Sequence, residues 1–149
     1  MALWTKTKRK SPMIVLTKDT MQILREQDVV PFRNRVRELT VKIGMSLVNQ
    51  TKLITAASEL VRNMLRYANG GKVILEIISK SAQSGVRLTF VDEGPGISDL
   101  KQAMQDGFST GKSLGLGLPG AKRLVNEFDI KSAPGEGTTV MIIHWKHGR

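Results

Sequence analysis

A chain of 149 residues, 40% hydrophobic and 24% charged, suits one soluble globular domain, which at this size buries roughly 70% of its unfolded surface. The lack of cysteine excludes disulfides, thiolate metal sites and a cysteine nucleophile; two histidines near the C-terminus are too few for a zinc site, and no run approaches the ~18 apolar residues of a membrane span. Lys and Arg outnumber Asp and Glu by 23 to 13, and the net charge of +10 favours anionic partners, a polyphosphate among them.

The first residues carry Lys6, Lys8, Arg9 and Lys10, so residues 1–12 read as a basic flexible arm and 13–149 as a single domain. A charge run of this kind is most simply a solvated tail. Nucleic acid, an anionic membrane and an acidic protein are its functional readings. Aromatic residues are not interleaved with the charge and no helix concentrates it, so neither nucleic acid nor membrane is an expected partner. The apolar run Met13–Leu16 is too short for a secretory segment, and the expected location is the cytoplasm.

Thr20 to Gln27 is predicted as a strand. Asp28 then caps a helix from about Val29 to Met45 with Pro31 in its first turn, and Phe32, Val36, Leu39 and Ile43 recur at helical spacing. Asn49 caps a second helix reaching Ala68, with Leu53, Ala57, Leu60, Val61, Met64 and Leu65 as its apolar stripe. Asn69-Gly70-Gly71 ends it. Strands over Lys72–Lys80 and Val86–Val91 follow, joined by the loop Ser81–Gly85 as an antiparallel hairpin. Ser98 caps a short helix to about Asp106, a further helix covers Leu118–Phe128, a strand Phe128–Ser132, a turn Pro134–Gly137, and a last strand Thr138–Trp145. This order is that of an α/β sandwich with segregated layers, not of a strictly alternating doubly wound sheet.

Three features carry chemistry. Asp92-Glu93-Gly94-Pro95-Gly96 puts a carboxylate at a strand end beside a backbone that a ligand can approach closely. Glu59 and Asn63, four apart, share a helix face; an asparagine carbonyl can ligate a nucleotide's magnesium while a carboxylate one turn away orients or deprotonates a nucleophile. The third is the run from Gly107 to Gly120. Gly107 to Ser113 is one residue short of a P-loop and follows a predicted helix instead of a strand. Gly115-Leu-Gly117-Leu-Pro-Gly120 has dinucleotide spacing, but it lacks the strand before it, and Asp129 comes too soon to serve a ribose. What remains is a segment rich in accessible N–H groups that enters a helix N-terminus, a setting suited to phosphate oxygens.

Together these features resemble the GHKL (Bergerat-fold) ATP-binding family of histidine kinases, Hsp90-type chaperones, gyrase-type ATPases and anti-sigma-factor serine kinases. Glu59-Leu-Val-Arg-Asn63 is similar to its N box, Asp92–Gly96 to its first glycine box, Gly115-Leu-Gly117-Leu to its second, and Gly137-Thr138-Thr139 to its final Gly-Thr motif. Within the family, Ser58–Asn63 together with Asp106-Gly-Phe-Ser-Thr and Leu-Pro-Gly-Ala-Lys-Arg-Leu resembles the RsbT-type switch serine kinases of stressosome signalling more than the RsbW and SpoIIAB anti-sigma kinases.

The resemblance implies a Bergerat-type two-layer α/β sandwich, with a mixed, mostly antiparallel sheet and helices packed on one face. It implies ATP and Mg2+ as cofactors. Asp92 would read the adenine amino group with Thr138 in support, and Gly94 and Gly96 would let the backbone pass the purine. Ser109, Thr110, Gly111, Lys112, Gly115, Leu116 and Gly117 would belong to a lid over the phosphates. Asn63 would ligate the metal and Glu59 would act as general base toward a serine. The partners implied are a STAS-domain substrate and a PP2C-type phosphatase, or a sigma factor if the chain is instead an anti-sigma factor. A pure ATP-sensing module is the remaining alternative, and it would have no use for Glu59.

Overall fold

The computed structural model describes residues 12–105 and 117–149. Five strands form one sheet: β1 (Ile14–Ile23), β2 (Gly71–Lys80), β3 (Gln83–Asp92), β4 (Glu127–Ser132) and β5 (Thr138–Trp145), in the order β1-β2-β3-β5-β4. Every pairing among these strands is antiparallel, the limiting case of the mostly antiparallel sheet expected. Among the described residues the helices α1 (Val29–Lys42), α2 (Leu47–Ala68), a single turn α3 (Leu100–Ala103) and α4 (Leu118–Leu124) accompany it.

Strand alternation builds the core. Val73, Leu75 and Ile77 of β2, Val86, Leu88 and Phe90 of β3, and Val140 and Ile142 of β5 are buried at every second position. Phe32, Val36 and Leu39 of α1 and Leu53, Ala57, Leu60, Val61 and Met64 of α2 join the same cluster. The Phe32 and Phe90 rings meet edge to face, with centroids 6.0 Å apart. On the register between β2 and β3, Glu76 stands opposite Arg87. Its buried carboxylate takes two hydrogen bonds from that guanidinium, at 2.8 and 3.2 Å, which offsets the cost of desolvating it.

Several boundaries differ from the sequence expectation. The first strand covers Ile14–Ile23, not Thr20–Gln27. As an edge strand it leaves Ile14, Val15 and Leu16 exposed, so no period-2 burial pattern marks it. It stops because the Asp28 carboxylate gathers the N–H groups of Leu24 and Arg25 at 2.9 and 3.0 Å, turning the chain through a 3-10 turn. Asp28 therefore reaches back to the preceding turn and does not cap α1 with its side chain. The cap of α2 is Ser46, whose Oγ accepts from Asn49 N, in place of the expected Asn49. The β2–β3 turn is tighter than Ser81–Gly85: Ser81 and Ala82 alone take positive φ, and β3 starts at Gln83. Asp99, not Ser98, accepts from Gln102 N at the start of α3. The last helix ends at Leu124, because Val125 is extended and Asn126 bonds to β5 through Ile143 O and Trp145 N. Phe128 consequently lies in β4. No helix among the described residues is long and apolar enough to cross a membrane.

Asn49, displaced from its expected cap, holds the C-terminal end. Its Nδ2 donates to Gly148 O at 3.0 Å, and its Oδ1 accepts from His144 Nε2 at 2.9 Å. His144 is fully buried, and its Nδ1 has no partner among the described residues. Burial first, and the Lys52 charge second, lower its pKa to about 4, so the ring is neutral near pH 7. The unfolded chain binds this proton more tightly than the fold does. The resulting stability is complete above about pH 6.5 and is lost as the pH falls toward 4, by about 3 kcal/mol in all. The urea midpoint is expected to fall over this window, and the fall to be visibly shallower in His144→Gln. Equal slopes in the two proteins would remove His144 as the cause.

Candidate active site

The cleft lies between α2, the ends of β3 and β5, and the loop that follows β3. Leu60, Met64, Tyr67 and Ala68 form one wall, Phe90 and Val140 the floor, and Pro95, Gly96, Ile97 and Leu118 the rim. Asn63, Asp92 and Thr138 are the main polar groups in an otherwise largely apolar lining.

Asp92 ends β3 directly opposite Thr138. Its Oδ1 accepts from Gly94 N at 2.9 Å and Thr138 N at 3.2 Å, while Oδ2 has no partner among the described residues. One oxygen thus fixes the carboxylate and the other remains available as an acceptor. Thr138 is held in turn by Ser132, whose Oγ lies 2.8 Å from Thr138 Oγ1 and 3.0 Å from Gly137 O, and also accepts from Ile97 N at 2.8 Å. Ser132 therefore locks the glycine loop to the Gly-Thr turn, a role the sequence did not signal because a lone serine in a strand has many uses.

The two glycines of the first box serve packing as well as access. A side chain at Gly94 would strike Ala68 of α2, and Gly96 has φ +78° and a β-carbon there would strike the Ala133 carbonyl. Ala68 and Ala133 are thus silent partners of this box.

At the other end, α2 presents Glu59, exposed, and Asn63, half-buried. Gly117 stands over both: a β-carbon there would lie 3.0 Å from Glu59 Oε2 and 3.2 Å from Asn63 Nδ2. The fold therefore brings Gly117 of the second glycine box to the helix box. Asn63 Nδ2 is buried with no partner among the described residues, so the amide awaits a group the described protein does not supply. No cluster of three His, Asp or Glu residues that could hold a metal occurs among the described residues. The donor set fits an ion carried mainly by phosphate and water oxygens with Asn63 as a protein ligand. Ser109, Thr110, Gly111, Lys112, Gly115 and Leu116 lie outside the described residues.

A flat, amino-bearing ring suits the apolar slot beside Asp92, and a polar, transferable group suits the Glu59–Asn63 end. Asp92→Ala removes the acceptor for two backbone donors and is expected to cost about 1–3 kcal/mol in urea unfolding, whereas Asp92→Asn, which retains a carbonyl oxygen, stays within about 1 kcal/mol. Equal losses in the two variants would mean that the fork to Gly94 and Thr138 does not hold the loop.

Comparison with known proteins identifies the family. Residues 48–149 match the family model described as "Histidine kinase-, DNA gyrase B-, and HSP90-like ATPase". The chain is 41% identical over 125 residues to the serine/threonine-protein kinase RsbT of Bacillus subtilis, covering 84% of this chain and 94% of that protein. It is 33% identical over 112 residues to the anti-sigma F factor of Caldanaerobacter subterraneus, covering 72% of this chain and 78% of that one. Among solved structures, the RsbU and RsbW domains of a Mycobacterium tuberculosis protein superpose with a TM-score of 0.61 at 20% identity, over 89% of this chain and 34% of that one.

Proposed function

The chain belongs to the histidine kinase-, DNA gyrase B- and HSP90-like ATPase family and is a serine/threonine-protein kinase of the partner-switching kind; on that premise we propose that it phosphorylates a serine of a STAS-domain protein and then activates a PP2C-type phosphatase. The observation that carries this reading is a cleft lined by a fixed carboxylate, Asp92, at its apolar end and by Asn63 at the other, with Glu59 one helical turn from Asn63 and Gly117 close to both.

In this reading residues 13–149 are one kinase domain in the cytoplasm and residues 1–12 its basic arm. Asp92 Oδ2 accepts the adenine amino group, and Thr138 supports the same edge through water. Gly94 and Gly96 keep side chains from the purine face. Asn63 Oδ1 is the protein ligand for Mg2+, which when bound neutralises phosphate charge and orients the transferring group. Gly117, beside Glu59 and Asn63, lies at the phosphate end.

Glu59 holds the acceptor hydroxyl. Phosphoryl transfer through a loose transition state gains most from alignment, so Glu59 contributes chiefly by aiming the serine oxygen and then taking its proton as the new O–P bond forms, while the bond from the γ-phosphorus to the bridging oxygen breaks and ADP leaves with that oxygen. Transfer puts a dianion on the substrate surface that the kinase had bound, and like-charge and desolvation costs there release the partner. The anti-sigma F relatives support a second reading, capture of a sigma factor together with phosphorylation of its antagonist.

The test uses γ-labelled ATP, magnesium and a STAS-domain protein. Glu59→Gln is expected to abolish label on serine while ATP affinity stays within about threefold. Asp92→Asn, with an amide where the acceptor stood, should weaken ATP by about 10- to 100-fold, the worth of a hydrogen bond to a charged group. ATP binding without transfer to any STAS protein, but with capture of a sigma subunit, would replace the first reading by the second.

A further inference from the structure

α2 carries one acid, Glu59, and three cations, Lys52, Arg62 and Arg66. At about 100° per residue, Arg66 lies about 20° and Arg62 about 60° around the helix from Glu59, both on the side away from Asn63. Glu59, Arg62 and Arg66 are all exposed. Glu59 and Arg62, three apart, would ordinarily pair. Here they do not: the ion pairs among the described residues join Arg35 to Asp19 and Glu38, and Arg87 to Glu76. The Glu59 carboxylate stands beside Gly117 instead. Arg66 sits 5.9 Å above the ring of Tyr67, a residue of the cleft wall, which holds its guanidinium near the site without neutralising it.

Two guanidiniums without an acidic partner among the described residues thus flank the residue assigned to aim the acceptor. A cation serving the ATP phosphates belongs on the Asn63 side of Glu59, and these lie on the other. That side faces outward, where a protein substrate must approach. We propose that Arg62 and Arg66 form an electrostatic dock for an acidic segment flanking the acceptor serine, which delivers the serine hydroxyl to Glu59. The forked donors of arginine suit carboxylates bidentately, and charge complementarity at an exposed rim sets partner choice and encounter rate. The dock rests on the kinase reading of Glu59, and both arginines are positioning residues.

The experiment measures serine phosphorylation of a STAS-domain protein bearing Asp or Glu beside its acceptor serine, and of the same protein with those acids changed to Asn and Gln. The double variant Arg62→Gln/Arg66→Gln is expected to raise KM for the acidic substrate about tenfold, with kcat and ATP affinity moving less than about threefold. The neutralised substrate should show the same rise with the unaltered kinase and no further rise with the variant. An unchanged KM, or a loss confined to kcat, overturns the dock. Binding of the Ser→Ala form of the acidic substrate, followed by calorimetry, is measured alongside. Tight binding that depends on the arginines without any transfer supports the dock and sinks the kinase reading. Transfer with binding indifferent to the arginines does the reverse.

Discussion

A single carboxylate oxygen, Asp92 Oδ1, organises the business end of this protein. By accepting from Gly94 N and Thr138 N together it joins the loop after β3 to the start of β5, where the β3–β5 ladder ends. Buried backbone donors need partners, and an ionised acceptor is the strongest available. The same interaction leaves Oδ2 aimed by a rigid frame, so fold stability and ligand reading share one side chain. Ser132 extends the frame by one further shell, through Ile97, Gly137 and Thr138.

Around that frame the cleft separates two kinds of work. Its apolar walls come from α2 and the sheet, the layers that also make the core, so the slot for a ring is an unfilled continuation of ordinary packing. Its polar end lies on one helix, where Glu59 and Asn63 keep their spacing because the helix is 22 residues long and buries its opposite face. A rigid element is the right support for groups whose task is alignment. The outward face of the same helix carries the arginines, so a single element meets the nucleotide on one side and the protein partner on the other.

Much of this was legible in the sequence. The apolar periods of α1 and α2 and the alternation of β2, β3 and β5 follow from burial on one face; Glu59 and Asn63 stood out as a polar pair four apart on one helix face, and Asp92 and Thr138 because glycine-rich turns adjoin them. Where the chain is an edge, the signal failed: β1 exposes its apolar residues and lacks alternation, so its start was displaced. Capping was misread for a related reason. Asp28, Ser46, Asn49 and Asp99 are all competent caps, and only the path of the chain selects among them.

The sequence by itself determined the element types and the sandwich class, and it singled out Asn63, Asp92 and Thr138, since these depend on local periodicity and on residues whose chemistry is rare in neutral positions. Only the tertiary structure decided the relations between distant residues: Gly117 over Glu59 and Asn63, Ser132 behind Thr138, Asn49 against His144 and Gly148, and Ala68 against Gly94. The reason is physical. Periodicity is a property of neighbours along the chain. A hydrogen bond or close contact across tens of residues leaves no periodic trace, and it exists only once packing has brought its two halves together.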